Sequence, residues 1–248
     1  MKTLRKGLEI LNTFKTNSQS QGVTEIAKKL GFHKSSTHGL LQALKDEGYI
    51  IYDSSTRKYS LGYKPLDLVG RISYRKDLRE IARPIMQELS KKCDEDVALN
   101  ILVEGRSISI NVIESQNYIR HIIPLGKPYP LHCRAAGKVI MAYLSEKEID
   151  EIIKRYGLPK FTPKTITRKG KLLAELGRIK TSGYSISRQE FGPEGVSLAF
   201  PIFNRDKIIM GSLSIHSTVN RMDKETEKRF VDEGLKASER LNQILELI

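Results

Sequence analysis

The segment between Gly22 and Gly48, VTEIAKKLGFHKSSTHGLLQALKDE, constrains this chain more than any other stretch. Val23, Ile26, Ala27 and Leu30 recur at helical spacing, Gly31-Phe32 breaks the pattern, and a second periodic run follows at about Ser35–Glu47. At 100° per residue that second run has two faces. Leu40, Leu41, Leu44 and the Thr37 methyl share one; Lys34, Ser35, His38, Gln42 and Lys45 share the other, with Ser36 beside them. The polar face carries donors and no carboxylate, the chemistry that phosphate oxygens and base edges require. The pattern predicts a helix–turn–helix. A solvated αα-hairpin is the plainer alternative, and Ser35 then has a second role as helix N-cap.

What flanks the segment favours the first reading. Tyr49–Tyr52 and Tyr59–Gly62 are short β-prone runs around the polar turn Asp53–Lys58. A hairpin directly after a recognition helix is a wing, and Arg57 and Lys58 are expected at its tip, within reach of phosphates or a minor groove. Before the segment, Leu4, Leu8, Leu11 and Phe14 form one stripe on a helix at about Thr3–Phe14, with Thr3 as the expected N-cap.

Charge follows the same division. Residues 1–92 hold 18 Lys/Arg against 9 Asp/Glu, a balance of +9, and residues 93–248 hold 24 against 20, a balance of +4, which sum to the net +13. The basic excess sits with the proposed reader, as nucleic-acid binding requires. No run approaches 18 apolar residues and MKTLRKGLEI has no apolar signal core, so a soluble, cytoplasmic protein away from membranes is expected. Two cysteines, Cys93 and Cys133, make no disulfide framework.

Residues 63–92 read as helical, with an interruption at Pro84 and a basic side formed by Arg71, Arg75, Lys76 and Arg79. The functional reading is a linker helix that pairs with a second subunit; the bland one is a solvated spacer. Beyond Asp96 the pattern turns mixed. Strands are expected at Val97–Gly105, Ser107–Ser115, Tyr118–Leu125, Tyr184–Arg188, Val196–Phe203 and Lys207–His216. Helices are expected from the Pro130–Lys138 loop through Tyr143, at Glu146–Tyr156, at Arg168–Ser182 and at Asp223–Leu247. The class is α+β: a winged helix-turn-helix over residues 1–62, a linker helix over 63–83, and a mixed α/β domain over 84–248.

The whole chain resembles the isocitrate lyase regulator (IclR) family of transcription regulators. TEIAKKLGFHKSSTHGLLQALKDEGYI, YSLGYKPLDL, PLHCRAAGKVIMAYL, FTPKTIT and GYSISRQE…AFPIF…GSLSIH carry the resemblance, in the family's order. It implies a C-terminal GAF-like effector-binding domain, a homodimer or homotetramer, and a pseudo-palindromic operator in double-stranded DNA. It also implies a small organic acid as effector, with Arg134, Ala135 and Ala136 from the motif loop and Ser187, Ser197, Ser214 and His216 from the strands as effector contacts. Four pocket positions depart from the family's usual pattern. Ser187 stands for an acid, Ser197 for a cysteine, Arg134 for a small hydroxyl residue, and His216 for a small residue. In the reader, Gly39 stands where the family typically has Arg.

Other chemistries fit less well. His132-Cys133 lacks an orienting acid, and adjacent side chains on an extended loop diverge, so no nucleophile is expected. Cys93, His121, His132, Cys133 and His216 lack a CxxC or HxxxH anchor for a metal. Gly137-Lys138 lacks the first glycine of a P-loop. No catalytic residue, metal or cofactor is therefore expected. A DNA-binding architectural protein with a purely dimerising C-terminal domain remains the alternative to a ligand-responsive regulator.

Overall fold

The computed structural model describes residues 2–14, 20–70, 73–118 and 122–247, with side chains left out at 69, 70 and 73–77. The chain divides into two compact units, residues 1–76 and 77–248. The expectations on Arg71 and Ile72, on His121, and on the side chains of Arg75 and Lys76 fall outside this description.

In the first unit, α1 (Lys2–Thr13), α2 (Val23–Leu30) and α3 (Lys34–Asp46) precede the antiparallel hairpin β1 (Ile50–Asp53) and β2 (Lys58–Leu61), and α4 (Lys64–Gly70) follows. Ile10, Phe14, Ile26, Leu41, Ile50 and Tyr59 form the core, drawn from α1 and the residue after it, α2, α3 and both strands of the hairpin. The buried face of α1 runs through Gly7, Ile10 and Thr13, and of the expected stripe Leu11 and Phe14 pack on this core while Leu4 and Leu8 do not. Leu4 and Leu8 are 71% and 53% exposed. Thr3 lies inside the helix and does not cap it. Gln21, pulled against Tyr59 by a two-way backbone pairing of 2.9 and 2.8 Å, ties the α1–α2 connection to the hairpin.

The second unit is an antiparallel sheet with helices on both faces. Its strand order is β5-β4-β3-β8-β7-β6, from β3 (Asp96–Val103), β4 (Arg106–Ile113), β5 (Pro128–Pro130), β6 (Ser185–Arg188), β7 (Gly195–Phe203) and β8 (Ile209–Thr218). Side chains alternate across a strand, and here the alternation separates two chemistries. Val97, Leu99 and Ile101, Val196, Leu198 and Phe200, and Leu213 and Ile215 all face α5 (Ser73–Cys93) and α9 (Lys224–Glu246) in one apolar core. The intervening positions, including Asn100, Ser187, Ser197, Ser214 and His216, present small or polar groups to the other face. There α6 (Ala135–Met141), α7 (Glu146–Tyr156) and α8 (Lys169–Ser182) form a second cluster with Ala199.

Two expectations are corrected. Pro84 lies inside α5 and does not interrupt it; Pro84 is exposed, so the carbonyl deprived of its partner can turn to water. No strand forms at the described residues of Tyr118–Leu125, of which 119–121 lie outside the description. The edge of the sheet is instead Pro128–Pro130, paired to β4 through Ser107 and Tyr129, a position where prolines cost the ladder little. Among the described residues no helix is long and apolar enough to cross a membrane.

Candidate nucleic-acid interface and ligand cleft

The turn between α2 and α3 depends on Gly31, whose φ of +68° is the left-handed conformation a helix C-cap adopts. Phe32 then donates its N–H back to the Ala27 carbonyl at 2.9 Å. The helix that follows starts one residue earlier than its periodicity suggests. His33 is the N-cap, without a side-chain cap bond, so Ser35 sits in the first turn and does not cap. Thr37 and Leu41 are buried beneath it, and the Thr37 hydroxyl donates to the His33 carbonyl at 3.1 Å. Lys34, Ser35, Ser36, His38 and Lys45 are exposed and Gln42 is half-buried.

The polar face is not free of carboxylates. Gln42 Nε2 donates to Asp46 Oδ1 at 2.8 Å, so an acid one turn on holds the amide that was assigned to base reading. Gly39 stands one turn before Gln42, with nothing within 4 Å of where a Cβ would lie. Gly39→Ala is therefore expected to raise stability by about 1 kcal/mol through helix propensity alone. Urea denaturation of the full chain measures this, and an unchanged or lower midpoint would refute it.

At the wing, Asp53 organises the turn. Its carboxylate accepts from the Ser55 N–H at 2.8 Å, the Ser55 hydroxyl at 2.6 Å and the Thr56 hydroxyl at 2.8 Å. These donors, the Ser55 hydroxyl foremost, hold its pKa at about 2 against an ordinary 3.8. A depressed pKa contributes stability above the unfolded value that is lost as pH falls through the folded one. The wing turn is thus expected to loosen between about pH 4 and pH 2. Following the Ser55 amide by NMR against pH tests this; an inflection near 3.8 would show that Asp53 does not hold the turn. Arg57 stands at the turn with φ +56°, an uncommon conformation for a side chain of this size. Lys58 is not at the tip: it lies on β2, 3.9 Å from Glu25 of α2.

A cleft of about 130 Å³ opens on the polar face of the sheet, walled by Tyr129, Arg134, Phe191, Ser187, Ser197 and His216. Arg134 is the N-cap of α6. Its guanidinium carbon lies 4.1 Å from the Tyr129 ring centroid and 5.4 Å from that of Phe191. Burial lowers its pKa. Ser187, Ser197 and His216 are successive cross-strand partners on β6, β7 and β8, so they form one row along the floor. Of the seven positions expected to contact a ligand, the cleft unites these three with Arg134.

Ala135, Ala136 and Ser214 are buried and do not line it. The helix turns Ala135 and Ala136 inward, against Ala199 and their own apolar cluster. Ser214 supports the floor from within: its hydroxyl is 2.8 Å from His216 Nε2, accepts from Asn100 Nδ2 at 2.8 Å, and donates to the Ala98 carbonyl at 3.3 Å.

Beneath the cleft lies a cluster that the sequence reading passed over. Lys138 is 1% exposed, and its ammonium donates to Glu190 Oε1 at 2.6 Å, the Ile186 carbonyl at 2.9 Å and Glu175 Oε1 at 3.3 Å. The Glu190 carbonyl accepts from Thr165 Oγ1 at 2.6 Å, and Thr162 Oγ1 donates to the Gln189 carbonyl at 2.6 Å. Two hydroxyls of the FTPKTIT segment thereby fix the loop that carries Phe191. The available signal was a lysine inside the apolar run AAGKVIMAYL, since a cation on a buried face needs an anionic partner.

Neither His132 nor Cys133 serves as a nucleophile pair. His132 Nε2 lies 3.0 Å from the Pro159 carbonyl, while the Cys133 thiol donates to the Pro130 carbonyl at 3.8 Å. Burial pushes that thiol up to about 12. Among the described residues no three His, Cys, Asp or Glu side chains gather as a metal site.

Comparison with known proteins follows the same division. Residues 71–243 match the family model for the bacterial transcriptional regulator IclR C-terminal domain, and residues 3–54 that for the IclR helix-turn-helix domain. The HTH-type transcriptional regulator KipR of Bacillus subtilis is 31% identical, with 92% of each chain covered. The crystal structure of Thermotoga maritima IclR superposes with a TM-score of 0.85 over 99% of both chains at 27% identity. An IclR homologue from Microbacterium hydrocarbonoxydans, complexed with 4-hydroxybenzoate, shares the fold at TM-score 0.79 and 18% identity, over 97% of this chain and 99% of that one. The curated relatives are named as transcriptional regulators or repressors, not enzymes.

Proposed function

The chain belongs to the IclR family of bacterial transcriptional regulators, and from that membership we propose a sequence-specific regulator whose hold on DNA answers to a small carboxylate. Arg134 carries the ligand half of the reading. Its guanidinium lines the cleft and faces no carboxylate among the described residues, so an anion is the missing partner. The Microbacterium relative's 4-hydroxybenzoate, itself a carboxylate, supports this chemistry. Ser187, Ser197 and His216 orient the ligand, while Ala135, Ala136 and Ser214 shape the site from behind.

In the reader, Ser35, Ser36, His38 and Gln42 address bases, and Lys34, Lys45, Arg57 and Lys58 address phosphates. Residues 1–62 serve as the DNA-binding domain, 63–83 as linker, and 84–248 as a GAF-like effector domain. Two half-sites of a pseudo-palindromic operator require a symmetric protein. Leu4 and Leu8 on α1 and Leu66 and Leu68 on α4, all exposed, offer the apolar surface for a homodimer or a homotetramer built from it, working in the cytoplasm.

Selection of bound genomic fragments by the purified protein at near-physiological salt tests the reading, with and without pooled organic acids. Enrichment of one pseudo-palindrome is expected. Gln42→Ala should relax base preference, while Arg57→Ala should weaken all sequences alike, by about one unit of the salt slope. Equal losses on selected and random DNA for every variant would favour an architectural protein instead.

A further inference from the structure

We infer that the second unit carries a nucleic-acid contact of its own: the segment from Lys154 to Lys171 holds duplex DNA by its phosphate backbone. This rests on the reading that the protein works on DNA, and it places part of that hold outside the helix-turn-helix and the wing. Between residues 152 and 174 stand seven cations, Lys154, Arg155, Lys160, Lys164, Arg168, Lys169 and Lys171, and no Asp or Glu. The remainder of residues 93–248 holds 17 Lys/Arg against 20 Asp/Glu, a balance of −3. The whole positive balance of the second half therefore lies in this one stretch.

All seven cations are exposed. Lys169 pairs with Asp150 at 2.6 Å, Arg155 lies 3.9 Å from Glu104, and Lys164 donates to the Gln189 side-chain carbonyl. Lys154, Lys160, Arg168 and Lys171 make no ion pair among the described residues. Helix stability explains only part of this pattern. In α7, Glu146 and Glu148 open the helix and Lys154 and Arg155 close it, as its dipole favours. α8 does the reverse: Arg168, Lys169 and Lys171 crowd its start, and its first turn has no acid. The helix gains nothing from that arrangement, whereas a passing phosphate backbone does.

The charges stand on a fixed frame. The Thr165 hydroxyl accepts from the N–H groups of Phe161 and Thr162 at 3.1 and 2.9 Å and donates to the Glu190 carbonyl at 2.6 Å. The Pro159 carbonyl lies 3.0 Å from His132 Nε2, and the Lys169–Asp150 pair ties α8 to α7. The backbone of the segment therefore meets a partner already ordered. Its composition selects the partner. Five of the seven cations are lysines, which protein interfaces deplete in favour of buried aromatic and arginine anchors. Phe161 is the one large apolar side chain exposed between 154 and 171, and it leans on Phe191 at 4.9 Å. Exposed ammonium groups without an apolar centre suit a uniform row of phosphates better than an acidic protein face.

The test measures Kd by fluorescence anisotropy for the full chain, on a long random duplex and on the selected operator, from about 50 to 200 mM salt. Replacing the four unpaired cations together (Lys154→Gln, Lys160→Gln, Arg168→Gln and Lys171→Gln) should leave the melting temperature and the base preference unchanged. The plot of log Kd against log salt should flatten by about three on both duplexes, since each phosphate contact contributes about 0.9. The affinity lost between about 50 and 200 mM salt then shrinks by about sixtyfold. An equal loss of charge elsewhere on this unit, through Lys180→Gln, Arg205→Gln, Lys224→Gln and Lys228→Gln, should flatten the plot by about one or less. A slope unmoved by the first set, or moved as far by the second, would overturn the inference and leave the surface to an acidic protein. Gln42→Ala and Arg57→Ala probe the reader alone, so either result stands apart from theirs. If the wild-type chain binds neither duplex, the DNA reading fails and the inference with it.

Discussion

Lys138→Ala is expected to lower stability by about 3–5 kcal/mol, a large part of the 5–15 kcal/mol that holds a typical domain together. The ammonium is the common partner of Glu190, Glu175 and the Ile186 carbonyl, and it is 1% exposed. Arg178 still holds Glu175 through 2.8 and 2.9 Å contacts after the change. Among the described residues Glu190 has no such second cation: its Oε2 is already buried without a hydrogen-bond partner, and loss of Lys138 strands the carboxylate. The pH dependence gives a check that simple loss of packing does not. Burial pushes the Glu190 carboxyl up, with Lys138 opposing, so removing Lys138 raises it further. A raised acid pKa favours the fold below that value and penalises it as pH climbs through it. The deficit of the variant should therefore narrow as pH falls towards 4. Urea denaturation at a series of pH values reads both effects, and a deficit below 1 kcal/mol, or one independent of pH, would mean that the cluster does not hold Glu190. Because Glu190 precedes Phe191, the same variant should also loosen the wall of the cleft.

Gly234→Ala should destabilise the second unit by about 2 kcal/mol, the opposite sign to Gly39→Ala. Both glycines lie within helices, and both substitutions gain about 1 kcal/mol of helix propensity. What differs is the space. At Gly39 a Cβ meets nothing within 4 Å, whereas at Gly234 it would stand 2.0 Å from Cε2 of Phe200. Phe200 is fully buried at the centre of the sheet and cannot swing into solvent. Overpacking of this kind costs about 1–3 kcal/mol or more, which outweighs propensity. Thermal or urea melts of the single variant decide the sign. Pairing it with Phe200→Leu should recover part of the loss, and failure to recover any would place the strain elsewhere.

Most elements were legible in the sequence because helix and strand periodicity are local. The heptad-like spacing in Val23–Leu30, the alternation in Ser107–Ile113 and the glycine stops at Gly31 and Gly183 each depend on neighbours within a few residues. The errors share one cause. The buried stripe of α1 and the short edge strand at Tyr129 were decided by what lay across from them, and the intact helix through Pro84 by which side of α5 faces solvent. Two sets of candidate residues divided in the same way. α3 exposes Lys34, Ser35, Ser36 and His38 around its first turn, as helical spacing from Thr37 and Leu41 dictates. By contrast, the Asp46 carboxylate that holds Gln42 was visible as a residue but not as a partner.

From residues alone came the winged reader, the basic asymmetry and the places of most helices and strands. All three follow from backbone periods and composition, which do not require knowing the fold. Only the tertiary structure brought Arg134 between Tyr129 and Phe191, aligned Ser187, Ser197 and His216 in one row, and paired Lys138 with Glu190 across 52 residues. Those pairings depend on strand order and loop closure, and a one-residue change of register would have sent the row to the apolar face.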